Sequence, residues 1–433
     1  MPMSVSPNQN LKKTFEDRKV SHSNRASALF PAYLGPEQDT YLVFLNYWTI
    51  KNSFNLCDMN FTVTIRDEAG VLVHRHIIED VGLHNEISLK GLGLPQNVNS
   101  STDFRGSVEL SVISLKNIRY SFPAVVVVYR SGDLMSGVHS AGRIKNSDEI
   151  QNVSYSEETN WNCKVGDNVT PFFHYFIGPS EPTRSLLEAT LRGPDGGVIK
   201  TAIIDISDMN SFSSRTFFCD EVFGAENFIH DAFVSVKVEH NSVYPRLVVG
   251  NYFKSENFFE VTHSYPYISQ NDYCPNDGGA DFQSLICGFS SRDLGLSMRS
   301  FPTFCENEMS FDVFKKTFGQ KALQQSHQQE LLENVREFIS GGGTLSLGGR
   351  DEFLAIGLRG EKVPTRMTMS YQFSVKHTES PFSTDISDGA KASLFPPKHF
   401  FWGHGAIGGN FDTCIFLRNK SHNPRETEAS TGT

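Results

Sequence analysis

Cysteine is sparse in this 433-residue chain, and the seven thiols are scattered at positions 57, 163, 219, 274, 287, 305 and 414. None form a CxxC pair, which argues against a zinc ribbon or a thioredoxin-type centre. Charge is also thin, at 20% of residues, and its balance of −10 is a poor match for a phosphate backbone, so nucleic acid is not the expected ligand. Long apolar runs are missing. The most apolar stretch, Pro123 to Tyr129, falls far short of the roughly 20 residues of a membrane-spanning helix. The first twenty residues hold no apolar core of a signal peptide, so the expected compartment is the cytoplasm and the thiols are expected to pack reduced, as small hydrophobes.

Recognisable catalytic motifs are lacking too. GxSxG is absent, and Gly288-Phe289-Ser290-Ser291-Arg292 has no second glycine. The glycine-rich run Gly341 to Gly349 lacks the Lys-Ser/Thr of a phosphate loop and reads as a helix stop before a hairpin. Adjacent carboxylates such as Glu157-Glu158 and Asp351-Glu352 point to opposite faces of a strand, so neither forms an acid–base couple by itself.

What is present is internal repetition. Thr64-Ile65-Arg66 before Gly70 recurs as Thr190-Leu191-Arg192 before Gly196. In the same order, Ile77-Ile78-Glu79 answers to Ile203-Ile204-Asp205, and Val108-x-Leu110-x-Val112 to Val234-x-Val236-x-Val238. Pro123 with Val125 to Tyr129 answers to Pro245 with Leu247 to Tyr252, and His139-Ser140 to His263-Ser264. A more divergent copy follows, with Pro364 leading into Met367 to Tyr371 and Ser383-Thr384-Asp385 where the earlier copies carry His-Ser. The N-terminal stretch from His22-Ser23 to Pro31 resembles Asp388 to Pro396, and Asp39 to Asn46 resembles Asp412 to Asn419, so the terminal strands of the chain are candidates to close on one another.

Each copy reads as β. Phe61 to Arg66 alternates apolar and polar residues, the period of a half-buried strand, and Asp67-Glu68-Ala69-Gly70 and Pro194-Asp195-Gly196-Gly197 carry hairpin-turn chemistry. The expected fold is therefore all-β: three tandem antiparallel β-sandwich units of about 120 residues, a length taken from the repeat spacing. The boundaries fall at 21–150, 151–275 and 276–421, with disordered tails over 1–20 and 422–433. The third unit is expected to contain one inserted helix near 320–339, where Leu331, Leu332, Val335, Phe338 and Ile339 follow helical spacing.

The strand from Asp39 to Asn46, the alternating strand Phe61 to Arg66 with its turn, and the late strand Pro123 to Tyr129 resemble the sensory rhodopsin transducer family, as do Leu186 to Arg192 and Pro245 to Tyr252. The resemblance implies a cytoplasmic β-sandwich that forms oligomers, partners other proteins and binds a small ligand, with carbohydrate one candidate. It carries over no catalytic residues, and the chain departs from the family in repeating the unit and in the inserted helix.

Two groups of candidate ligand-binding residues stand out. His22, His139 and His263, each followed by Ser, with Asp385 in the fourth position, would converge if the units are arranged around a pseudo-threefold axis. The plainer reading is that each His-Ser satisfies backbone groups at a strand end. His399, Trp402 and His404 form an aromatic and imidazole cluster suited to a sugar ring, or to plugging a sandwich end. His74 and His76 share one strand face and form a further chelating pattern, although Lys200 and Ala202 stand at the matching positions of the second copy. The expected function is a non-catalytic binding or scaffold protein that takes a small polar ligand, a carbohydrate or a protein partner where units meet. The rival is a metal-assisted enzyme built on the same histidines. The sequence specifies no cofactor or metal.

Overall fold

Alternating strands dominate the chain. The computed structural model describes residues 24–46, 59–79, 81–99, 103–114, 125–132, 134–139, 142–144, 154–179, 186–194, 196–240 and 247–263, and the backbone pairing of strands between 273 and 389. The two tails, and most of the stretch 320–339 expected to be helical, lie outside the described residues.

Strands β1 (Asn24–Leu34), β2 (Gln38–Leu45), β3 (Met59–Asp67), β4 (Leu72–Ile78), β5 (His84–Ser88), β6 (Phe104–Ser114), β7 (Val125–Ser131), β8 (Leu134–His139) and β9 (Gly142–Ile144) form a first pair of sheets, ordered β4-β3-β6-β1-β9 and β5-β2-β7-β8. A second pair follows from β10 (Ser154–Asn160), β11 (Val169–Phe176), β12 (Leu186–Arg192), β13 (Val198–Asp205), β14 (Ser214–Phe218), β15 (Phe233–His240), β16 (Val248–Phe253) and β17 (Phe258–Thr262). Its orders are β13-β12-β15-β10 and β14-β11-β16-β17.

The remaining strands are β18 (Tyr273–Pro275), β19 (Gln283–Ser290), β20 (Leu294–Ser300), β21 (Ser310–Thr317), β22 (Glu330–Leu331), β23 (Thr344–Leu347), β24 (Glu352–Arg359), β25 (Lys362–Pro364), β26 (Arg366–Val375) and β27 (Thr378–Gly389). They form the sheets β22-β21-β24-β19 and β23-β20-β26-β27, and β18 pairs with β25. Counted from the first strand of each set (β1, β10, β19, with β25 left out), all three pairs of sheets share the orders 4-3-6-1 and 5-2-7-8. The ladders among the described strands are antiparallel. Glu330 and Leu331 lie inside the stretch expected to be helical, yet they pair as a strand with Lys315 and Phe314. At those two positions the helical spacing of Leu331 is overridden by pairing to β21.

Helix is scarce among the described residues, limited to short pieces such as α1 (Gln96–Asn99) and α2 (Cys219–Phe223). Among the described residues, no helix is long and apolar enough to cross a membrane.

Burial explains the patterning. In the first pair, Phe30, Phe61, Val63 and Leu110 of one sheet meet Leu42, Phe44 and Val127 of the other in a single core, with Phe44 and Phe61 stacked at 5.3 Å. Each such side chain contributes roughly 1.5–3 kcal/mol relative to exposure. In the second pair, Phe173 and Tyr175 of β11 pack on Leu187, Leu191 and Val236. Alternate residues of the same sheet, Phe172, Val248, Phe259 and Val261, enter the core of the first pair instead. Both faces of β11 are thus covered, and its sequence, VTPFFHYF, carries no clean alternation for that reason.

The β3–β4 turn adds a second connection. Gly70 closes it at φ 83° and lies so close to the second pair that an added Cβ would sit 2.8 Å from the Ser211 carbonyl oxygen. The Ser214 N–H donates to the Glu68 carbonyl at 2.9 Å, and the Arg66 guanidinium lies 4.2 Å from the centre of the Phe212 ring.

Candidate functional site

The last strands of the three sheet pairs, β8, β17 and β27, pack against one another. Each stands at the end of its sheet, with an edge that its own ladder leaves open. Between β8 and β17 a side chain takes over part of that edge. The buried Ser136 hydroxyl accepts from the Val261 N–H at 2.9 Å and donates to the Phe259 carbonyl at 3.1 Å. Ser136→Ala removes the partner of both main-chain groups and is expected to cost about 1–3 kcal/mol in urea unfolding. A loss within error of zero would mean that water replaces the hydroxyl there.

At the ends of the same two strands the histidines meet. His139 is the last residue of β8, and His263 follows the last residue of β17. Their Nε2 atoms are 3.2 Å apart, with ring centroids at 4.5 Å and planes at 85°. The nitrogens are closer together than the ring centres, so both face the same space. On its other side, His263 directs Nδ1 toward a carboxylate oxygen of Glu158 at 3.9 Å. The Glu158 side chain keeps only 8% of its exposure, whereas His139 is exposed to solvent. The junction is thus an imidazole pair open to water on one side and backed by a buried carboxylate on the other.

The sequence expectation placed four residues together here. His139 and His263 do come together. Asp385 lies in β27, opposite Ser370 of β26, on the strand that adjoins both β8 and β17. By register from Tyr252 and Tyr371, the position that answers to His263 is Asp388, four residues past the partner of the tyrosine in each case. His22, His399, Trp402 and His404 lie outside the described residues. His74 and His76 share one side of β4, with ring centroids 6.2 Å apart. Among the described residues, no group of three or more His, Cys, Asp or Glu side chains is placed to hold a metal ion.

A second polar constellation went unpredicted. Tyr33 of β1 is fully buried, stacked on Phe259 at 3.8 Å with planes 7° apart, and its hydroxyl lies 3.2 Å from Nδ1 of His174 in β11. The same Nδ1 is 2.9 Å from the Thr216 hydroxyl, and the buried Nε2 of His174 has no hydrogen-bond partner among the described residues. Burial lowers the His174 pKa to about 3, assisted by the positive charge of Arg105, and burial raises that of Tyr33 above the usual phenol range. A neutral imidazole sealed in this way holds the two sheet pairs together and is out of reach of a ligand.

Neither Glu158 nor Ser136 carried a sequence signal that marked it as part of a site. In comparisons with known proteins, no family model and no curated protein matches this chain. Fold and site therefore define a class only: an antiparallel β protein with an imidazole pair where two sheet pairs join.

Proposed function

We propose that the chain is a non-catalytic binding protein made of three tandem copies of one β-sandwich module, similar in plan to the sensory rhodopsin transducers, and that it takes a small polar ligand where the modules meet. The tandem reading is supported by the strand order common to the three sheet pairs and by the packing of their last strands on one another. The observation that carries the function is the convergence of His139 and His263 to 3.2 Å from residues 124 apart. Two strand ends from different sheet pairs have no folding requirement to bring imidazoles together at a solvent-facing junction. Imidazoles can bond to hydroxyls, carboxylates and phosphates in either protonation state. Carbohydrate is the ligand class that the family resemblance implies.

A thermal-shift screen of glycans and anionic metabolites tests this proposal. A ligand present at about 100 times its dissociation constant is expected to add roughly 2.7 kcal/mol of stability. That gain should disappear in His139→Ala and in His263→Ala. Hits that survive both substitutions would move the site elsewhere.

A further inference from the structure

We infer that the His139–His263 pair binds a divalent transition-metal ion of the zinc class. This rests on the reading that the junction is the binding site, and it specifies what occupies the pair. Imidazole nitrogen is a preferred ligand of zinc, copper and nickel. In a tetrahedral centre with metal–nitrogen distances of about 2.0–2.1 Å, two ligand nitrogens lie about 3.3 Å apart. The observed Nε2–Nε2 separation is 3.2 Å, and both nitrogens face one space.

Glu158 supplies the charge expected behind a ligating histidine. Its carboxylate, 3.9 Å from His263 Nδ1, favours a proton on that nitrogen, which places the ring's lone pair on Nε2. Access is provided by the exposure of His139. Among the described residues the two histidines are the protein ligands, and further coordination positions fall to water or to oxygen atoms of a polar ligand. The strand β27, carrying Asp385 and Asp388, runs beside both histidine-bearing strands. An ion held in this way also cross-links the first sheet pair to the second, closing a loop between residues 124 apart.

The test uses the full chain, stripped with a chelator and dialysed. Zinc is titrated in competition with a chromophoric chelator, and cobalt(II) is added separately to read its d–d absorption. One equivalent is expected to bind. His139→Gln and His263→Ala should each weaken zinc by at least about 100-fold, and Glu158→Gln by about 10-fold, in line with losses seen when a residue behind a ligand is removed. Far-ultraviolet circular dichroism of the metal-free variants, unchanged from that of the parent, separates lost binding from lost folding. Absence of saturable zinc or cobalt binding, or parental affinity in His139→Gln, overturns the inference and leaves a direct hydrogen bond between the two imidazoles as the explanation of their distance. If zinc fails but glycan or anion shifts still depend on His139, the metal inference falls and the binding reading stands. If zinc binds one to one and no polar ligand does, the outcome is the reverse.

Discussion

Replacing Tyr33 with alanine is expected to destabilise the protein by about 3–5 kcal/mol, the range for deleting a large buried ring. Tyr33 stacks on Phe259, meets Phe172 edge-on at 6.3 Å and lies 5.5 Å from the Tyr129 ring. Phe172 and Phe259 belong to the second sheet pair, whereas Tyr33 and Tyr129 belong to the first. The cavity left by the substitution would open on the seam between the pairs, where neither core can collapse to fill it. The hydroxyl contact with His174 is lost as well. Tyr33→Phe, which keeps the ring, is expected to lose only about 1 kcal/mol. Urea unfolding followed by tryptophan fluorescence and circular dichroism would measure both. In a Trp48→Phe, Trp402→Phe background, fluorescence reports Trp161 alone, buried against Phe233 in the second pair, and the two probes should separate in Tyr33→Ala if the seam has come apart. An alanine variant no less stable than the phenylalanine one would mean that the stack contributes little and the pairs are held elsewhere.

How far the sequence could be read follows from the range of the forces involved. Strand alternation is local, so β3 was legible, as were the apolar run that forms β7 and the turns at Asp67 to Gly70 and Pro194 to Gly197, where Gly70 and Gly196 take positive φ. The histidine pair was legible for a different reason. The internal repeat located the two strand ends to within one residue: His139 lies three residues past the partner of Tyr129, and His263 four past that of Tyr252.

Glu158 could not be found by that route. Adjacent carboxylates on a strand point to opposite faces, and local rules cannot tell which of Glu157 and Glu158 turns inward. The structure buries Glu158 and leaves Glu157 half-buried. Ser136 and the Tyr33–His174 contact depend on one sheet pair docking on another, which no window of sequence encodes. The continuous run Phe172-Phe173 carries a trace of that docking, because its two rings enter different cores. Tertiary pairing also overrode local periodicity at Glu330 and Leu331.

Acidification from pH 6.5 to 4 is expected to cost on the order of 3 kcal/mol through His174 alone, given about 1.4 kcal/mol per pKa unit. The sign follows from burial. In the folded protein the imidazole has a pKa of about 3, against an ordinary histidine value of 6.5. The unfolded chain therefore binds the proton first, so the contribution is complete above 6.5 and is lost as pH falls toward 3. Glu68 is raised by burial, so its stability contribution is present at low pH and is lost as pH rises through its folded value, the opposite slope. Asp205 and Asp208, held low by hydrogen bonds from Ser207 and Arg215, share the sign of the His174 contribution, but theirs is lost only as pH falls below the ordinary carboxylate value of 3.8. Stability measured by urea at half-unit steps should fall through the window in the parent and flatten in His174→Phe, which keeps a ring in the seam and removes the titrating nitrogen. Because Nε2 of His174 has no hydrogen-bond partner among the described residues, phenylalanine forfeits, among them, the Nδ1 contacts with Tyr33 and Thr216. A parental slope in His174→Phe would place the acid sensitivity on another group and break the link between the sealed imidazole and the cohesion of the two sheet pairs.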